Sequence, residues 1–339
     1  IRVGYNTLVT LIYQRLAGFG TSVLAQAATL SAVIGAFALL VLWLHARARK
    51  ATDSRLSPGA APEPWRLGSA RLPLEIVLWT GLILISVVPF VALFAQALVP
   101  AIGVTLSFET LTWRGFSGAL AQDAVARAFA NSFLLAGSAA ALCVAAAVPL
   151  AYFVAWRRST LVRAIDTLVE LPYARPGIVL AIATILVFIK PLPILGVSIY
   201  GRLWIIGLAY VARFLVLALR PIGAAFAQLD PALDEAAAAA GAGFGRRLRD
   251  VALPMVAPAA GAGAILVFLT ALNELTVSAL LWSSGSETLG VIVFSLQEGG
   301  DSPLAAAVSI LAIGVVVALM LALTYLARRL PKGTLPWAD

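Results

Sequence analysis

Apolar residues run through this chain in long blocks rather than in an amphipathic rhythm. Seven stretches hold almost no charge, at roughly 21–44, 74–98, 129–156, 171–189, 203–224, 257–281 and 304–327. About 20 mostly apolar residues suffice to cross ~30 Å of hydrocarbon, so each stretch predicts a transmembrane helix. The pattern predicts an all-α polytopic membrane protein with about seven transmembrane helices. Proline and glycine recur inside the blocks, which lipid-buried helices tolerate. Residues 51–73, ATDSRLSPGAAPEPWRLGSARLP, have the composition of a linker and separate one span from a block of six. The expected organisation is a segment 1–44, a linker over 45–73, a six-helix domain over 74–329 and a tail over 330–339.

Composition removes the soluble alternatives. Hydrophobic residues make up 61% of the chain and charged residues 12%, against roughly 25% charged in an ordinary soluble protein. Mean hydropathy is +0.98. The net charge of +8 would suit nucleic acid, but its placement argues for membrane orientation instead. If every span crosses once, one side collects Arg47, Arg49, Lys50, Arg55, Arg66, Arg71, Arg157, Arg158, Arg163, Arg220, Arg246, Arg247, Arg249, Arg328, Arg329 and Lys332. The other side collects Arg2, Arg15, Arg114, Arg127, Lys190 and Arg202. Cytoplasmic loops are enriched in Lys and Arg, so the asymmetry predicts a cytoplasmic C-terminus and explains the basic balance without nucleic acid. Trp43 and Trp156 fall at one set of span ends and Trp204 and Trp282 at the other, as aromatic belts do.

One polar stretch stands apart, DEAAAAAGAGFGRRLRDVALP over 234–254. Asp230 and Pro231 make a good helix start, because Asp caps free N–H groups and Pro suits the first helical position. Ala232 to Ala240 is strongly helix-forming, and Asp234 and Glu235 favour the positive end of the helix dipole. Gly241 and Gly243 permit a sharp turn. A second, basic helix is expected from about 244 to 252, ending before Pro254. The result is a cytoplasmic helix–turn–helix with a flat alanine face that lets another protein approach closely.

The spacing of this stretch resembles the EAA loop of ATP-binding-cassette importer permeases. Glu235-Ala236-Ala237 is followed by Gly241, then by Val251 in the place of an isoleucine, then by Leu253-Pro254. The loop also precedes the penultimate span, as in that family. The resemblance implies a type I ABC importer permease fold in the bacterial inner membrane. It implies that Glu235, Ala236, Ala237, Gly241, Val251, Leu253 and Pro254 form the site at which a separate ABC ATPase dimer docks. A periplasmic solute-binding protein and a second permease half, fused upstream or separate, are the further implied partners, beside membrane lipid. Residues 1–44, with TLVTLIYQRLAGFG before an apolar span, look like the last loop and helix of a preceding half. The chain then resembles the C-terminal part of a fused permease of the ferric-iron and thiamine type; a natural seven-span subunit is the alternative.

No cofactor or catalytic role is expected. The chain has no G-x-x-x-x-G-K-[ST] phosphate loop, and Gly241, Gly243 and Gly245 follow no strand. No span pair offers metal ligands at helical spacing. Cys143 lies in an apolar segment and His45 beside arginines at a span end. Ionisable groups inside spans are functional candidates by default. Asn273 and Glu274 in the sixth span and Arg213 in the fifth form either a candidate translocation path or, for the charged two, an interhelical ion pair. Glu170 and Arg175 read as interfacial, with Arg175 snorkelling. An ion-driven secondary transporter or channel is the competing class. Among importers, LNELTVSALLWSSGSETLGVIVFSLQEGGD is most similar to ferric-iron permeases. Thiamine, aminophosphonate, polyamine and sulfate permeases share the architecture.

Overall fold

The computed structural model describes residues 68–157, 160–191, 196 and 198–327, with isolated positions between 29 and 44. The span expected at 21–44 is thus described only at scattered, helical positions. The linker before residue 68 and the tail lie outside the described residues. The fold is all-α. Contacts within the chain divide it into two units, one built on 123–292 with the flanking segments 1–38 and 312–339, the other on 39–122 with 293–311.

The second unit holds α1 (Arg71–Ala97) and α2 (Arg114–Ala121). Nearly all of α1 is exposed and apolar on every side, which is the composition of a helix facing hydrocarbon. Its end is buried at Ala97, Leu98 and Val99. There α2 leans on it through Phe116, whose ring lies 6.1 Å from that of Phe94. Gly115 lets the backbones meet, since a Cβ there would stand 2.7 Å from the Ala97 carbonyl oxygen.

The first unit is organised around α3 (Asp123–Tyr152), which ends in a widened π turn over Phe153–Arg157. Then come α4 (Thr160–Ala174), α5 (Gly177–Phe188) and α6 (Leu203–Gln228). The polar hairpin supplies α7 (Ala232–Ala239) and α8 (Phe244–Arg247). A π turn over Leu248–Ala252 leads into α9 (Leu253–Leu272), followed by α10 (Ser278–Leu281) and α11 (Leu289–Glu298). The last long helix is α12 (Ser302–Ala327), of which the residues up to 311 are counted, with 293–301, in the second unit. Helices α3, α6 and α9 pack most extensively on one another. Their meeting faces are small: Ala128, Ala136, Ala139, Ala147 and Ala151 of α3 are fully or almost fully buried. Without a hydrophobic drive between helices in lipid, close approach through small residues supplies the packing. Gly207 of α6 sits on Leu135, and Gly263 of α9 on the backbone of Ala218. The Cys143 thiol is buried in the same seam, 3.7 Å from the Val211 carbonyl.

Among the described residues five helices are long and apolar enough to cross a membrane, or six when α4 and α5 count as one broken span. The predicted spans at 74–98, 203–224 and 304–327 appear close to their expected ends. Two others depart from expectation. The span predicted at 171–189 is broken at Pro176, with α4 and α5 turned 109° from each other. A residue before proline is driven from the helical region, and Pro176 itself adopts φ −54° and ψ 138° at the start of α5. The span predicted at 257–281 instead runs from Phe244 to Leu272. Its start moves because the helix passes through Pro254 instead of beginning after it. The preceding π turn keeps the helix continuous, with the Leu253 N–H bonded to the Leu248 carbonyl.

The α6–α9 crossing yields a test. Gly263→Ile would drive a branched side chain into the Ala218 backbone, which stands 3.1 Å from where the new Cβ would be. Overpacking of this kind costs about 1–3 kcal/mol, so thermal unfolding of the solubilised protein should occur at lower temperature. Gly137→Ala, with open space at its Cβ, should leave the midpoint unchanged or raise it.

Candidate functional site

The hairpin is built by local rules. The Asp230 carboxylate accepts the Ala232 N–H at 2.9 Å, capping α7 as the sequence predicts. At the far end Ala242 N–H bonds to the Ala237 carbonyl at 3.0 Å and Gly241 N–H to the Ala238 carbonyl at 2.9 Å. This pair of bonds closes a helix when the residue between takes a left-handed conformation. Gly241 does so with φ +83°. The second arm differs from the sequence expectation: it does not stop before Pro254 but continues through the π turn into α9. Of the docking candidates, Glu235, Ala236, Gly241, Leu253 and Pro254 are exposed, and Ala237 and Val251 are half-buried.

Two hairpin residues face the other way. Asp234 and Arg247 are each only 9% exposed. Arg247 Nη1 donates to Asp234 Oδ2 at 3.0 Å, and the Tyr152 hydroxyl donates to the same oxygen at 2.7 Å. Tyr152 lies at the end of α3 inside an aromatic cluster. Its ring meets Trp156 at 4.9 Å, Phe244 at 5.4 Å and Phe226 at 6.1 Å, all edge to face. Phe244 also stacks on Phe153 at 5.3 Å. Both arms of the hairpin are therefore anchored to the ends of α3 and α6. Sequence reasoning assigned Asp234 to the helix dipole and Arg247 to membrane orientation. Two acids, Asp234 and Glu235, and three arginines, Arg246, Arg247 and Arg249, stand on opposite arms of one turn, and spacing alone does not say which of them pair.

The second candidate region lies where α9 ends. Asn273 and Glu274 are not within a continuous span as expected, but at and beyond its last turn, in an unwound stretch before α10. Glu274 holds this break together. Its carboxylate accepts the Val277 N–H at 2.8 Å and the Thr276 hydroxyl. Its carbonyl accepts the Ser278 hydroxyl at 2.7 Å and the Tyr210 hydroxyl at 3.3 Å. Arg213, near the middle of α6, places Nη1 3.8 Å from Glu274 Oε1 and 3.4 Å from Thr276 Oγ1. Gly177 at the start of α5 presses on this group. A Cβ there would overlap both Arg213 Nη1 and Thr276 Oγ1, at 2.1 and 1.9 Å. The structure thus joins Arg213 to Glu274 and leaves Asn273 apart, its exposed amide donating to the Leu269 carbonyl of its own helix.

The loop after α10 is tied to the start of α3 by residues that sequence reasoning passed over. Asn131 donates to the carbonyls of Gly285 and Glu287 at 3.1 and 2.9 Å, and Ser132 accepts the Leu289 N–H at 2.8 Å. Elsewhere Glu170 pairs with Arg220, which also stands 3.5 Å from Asp166. Glu170 is therefore bound into an ion cluster between α4 and α6, not simply interfacial. Arg175 Nε is buried with no hydrogen-bond partner among the described residues. Among those residues no three His, Cys, Asp or Glu side chains gather as a metal-holding group.

The Arg213–Glu274 pair generates a prediction. The two side chains are 16% and 10% exposed. Removing one partner of such a pair leaves a buried charge, at about 3–5 kcal/mol. Arg213→Met and Glu274→Gln should each lower the amount of folded protein recovered from membranes. The double variant should recover most of it. Normal recovery of both single variants would show that the pair does not hold the bundle.

Residues 147–334 match the family of binding-protein-dependent transport system inner membrane components. A probable ABC transporter permease protein, y4fN, of Sinorhizobium fredii is 30% identical over 91% of this chain and 55% of its own length. The Fe(3+)-transport system permease protein FbpB 2 of Haemophilus influenzae is 32% identical over 53% of this chain and 34% of its own. The chain thus spans about half or less of the length of these two relatives. The putrescine transport system permease protein PotI of Escherichia coli is 27% identical over 74% of this chain and 92% of its own. In fold, the chain matches a subunit of a bacterial ABC transporter for alginate import, with a TM-score of 0.57 at 16% identity, over 77% of this chain and 99% of that one. An all-helical bundle of apolar spans, the permease fold and the family match over more than half of the chain agree: this protein belongs to the binding-protein-dependent transport system inner membrane components, the permease family of ABC importers.

Proposed function

We propose that this chain is the transmembrane subunit of an importer that moves a solute handed over by a periplasmic binding protein, driven by a separate ABC ATPase dimer gripping the hairpin. The carrying observation is the orientation of α7. Asp234 turns inward to Arg247 and Tyr152, while Glu235, Ala236 and Gly241 stay exposed beside it. A hairpin clamped to the bundle with a small, flat outer face is what a docking partner needs. In this reading the hairpin and the C-terminus lie in the cytoplasm, as the arginine asymmetry predicts, and the 74–329 block works with a second permease half. Family membership favours this importer class over an ion-driven transporter.

For the solute we propose ferric iron. Support comes from the Haemophilus relative named for Fe(3+) and from the likeness of the 272–301 region to ferric permeases. The relatives named for putrescine and for 2-aminoethylphosphonate are 27% identical, which makes a polyamine and an aminophosphonate the comparison solutes. Uptake of labelled ferric iron, putrescine and 2-aminoethylphosphonate into cells with and without the permease decides among them. Dependence of iron uptake on the permease is the expected result, and independence would overturn the iron reading.

The docking reading predicts three losses and one null. Glu235→Lys reverses charge on the exposed face. Ala237→Trp blocks approach by size. Gly241→Val puts a β-branched residue at φ +83°, at about 1–2 kcal/mol. Each should abolish co-purification of the ATPase while the permease accumulates normally. Ala124→Ser, outside the hairpin, should change nothing. Retention of the ATPase by all three hairpin variants would remove the docking assignment.

A further inference from the structure

Docking explains why the hairpin is exposed, but not how its movement reaches the membrane helices. We propose that Asp234 is the positioning residue for that transfer: its carboxylate, clamped between Arg247 and the Tyr152 hydroxyl, makes the docking helix and the ends of α3 and α6 move as one body. The proposal rests on the docking reading and adds to it a residue outside the matched spacing.

Three observations carry it. First, successive residues of an α-helix point about 100° apart, so Asp234 faces the bundle while its neighbour Glu235 faces out. Second, Asp234 Oδ2 receives both donors, and each donor belongs to a different element: Arg247 ends α8 and Tyr152 ends α3. Third, Tyr152 is 1% exposed and its ring is walled by Trp156 of the π turn after α3, Phe226 of α6 and Phe244 of α8. Without the carboxylate, α7 would be tied to its neighbours by the three residues that follow α6 and by the turn at Gly241, and could swing with less movement of the α3 end. With it, displacement of α7 pulls directly on a tyrosine that cannot move apart from two long helices. Hydrogen bonds to an ionised group are short and directional, and such a linkage transmits position as well as attraction.

The test uses the permease–ATPase complex in lipid nanodiscs, in a Cys143→Ala background carrying a reporter cysteine at Asn273, an exposed position at the far end of α9. A water-soluble maleimide reads the labelling rate without nucleotide and after trapping with ATP and vanadate. With Asp234 present the rate should change on trapping. Asp234→Asn should keep the ATPase bound and trapped, yet lose that change, and Asp234→Glu should restore it. Tyr152→Phe removes only the hydroxyl and should weaken the change at normal protein yield; it decides the matter if Asp234→Asn fails to accumulate. A response that persists in both Asp234→Asn and Tyr152→Phe overturns the proposal, as does a wild-type complex without any response. Loss of the ATPase itself from Asp234→Asn would make the residue a docking contact and also overturn it. Failure of the docking reading shows separately, as retention of the ATPase by all three of Glu235→Lys, Ala237→Trp and Gly241→Val.

Discussion

A chain in hydrocarbon has no water to satisfy its backbone, and each unmet N–H or C=O there costs several kcal/mol. The membrane part of this protein is arranged around that constraint. Long helices meet it along their length, so the informative places are where helices stop. Between α9 and α10 the unwound backbone is taken up by Glu274, whose carboxylate accepts Val277 N–H while its carbonyl serves Ser278 and Tyr210. Between α11 and α12, Asp301 accepts the Leu304 N–H at 3.3 Å. Between α4 and α5, the Pro176 carbonyl opens the new helix by accepting Val179 N–H at 3.0 Å. At two of these three breaks a carboxylate side chain, Glu274 or Asp301, meets a freed backbone N–H.

The same economy governs charge. A buried charge is costly unless paired and hydrogen-bonded. Arg213 has Glu274 and Thr276, Arg247 has Asp234, and Arg220 has Glu170 and Asp166. Each group joins separate elements: the first and third tie α6 to its neighbours, and the second ties the two arms of the hairpin to each other. Small residues do the rest: the alanine faces of α3 and the glycines at the α6 and α9 crossings allow backbones to approach where side chains would hold them apart.

The hairpin shows how close a functional surface and its support can be. Glu235 and Asp234 are adjacent in sequence and chemically alike. One is exposed, and the other is buried against a tyrosine and an arginine. A spacing rule that picks out the first says nothing of the second, because the partner on α3 lies far away along the chain and belongs to an otherwise apolar helix end.

The sequence by itself determined the class of the protein, most of its span positions and the shape of the hairpin. Those follow from local physics: apolar length against hydrocarbon thickness, the Asp230 cap, and the need for glycine where φ is +83° at Gly241. Tertiary structure alone decided the rest. Hydropathy averages over a window, so it carried the sixth span across Asn273 and Glu274, whereas the helix ends there because Arg213, Thr276 and Tyr210 are present to satisfy the break. It joined α4 to the bundle through Arg220, and it turned Asp234 inward to Tyr152. Such choices depend on which helices become neighbours, and a one-dimensional pattern does not contain that information.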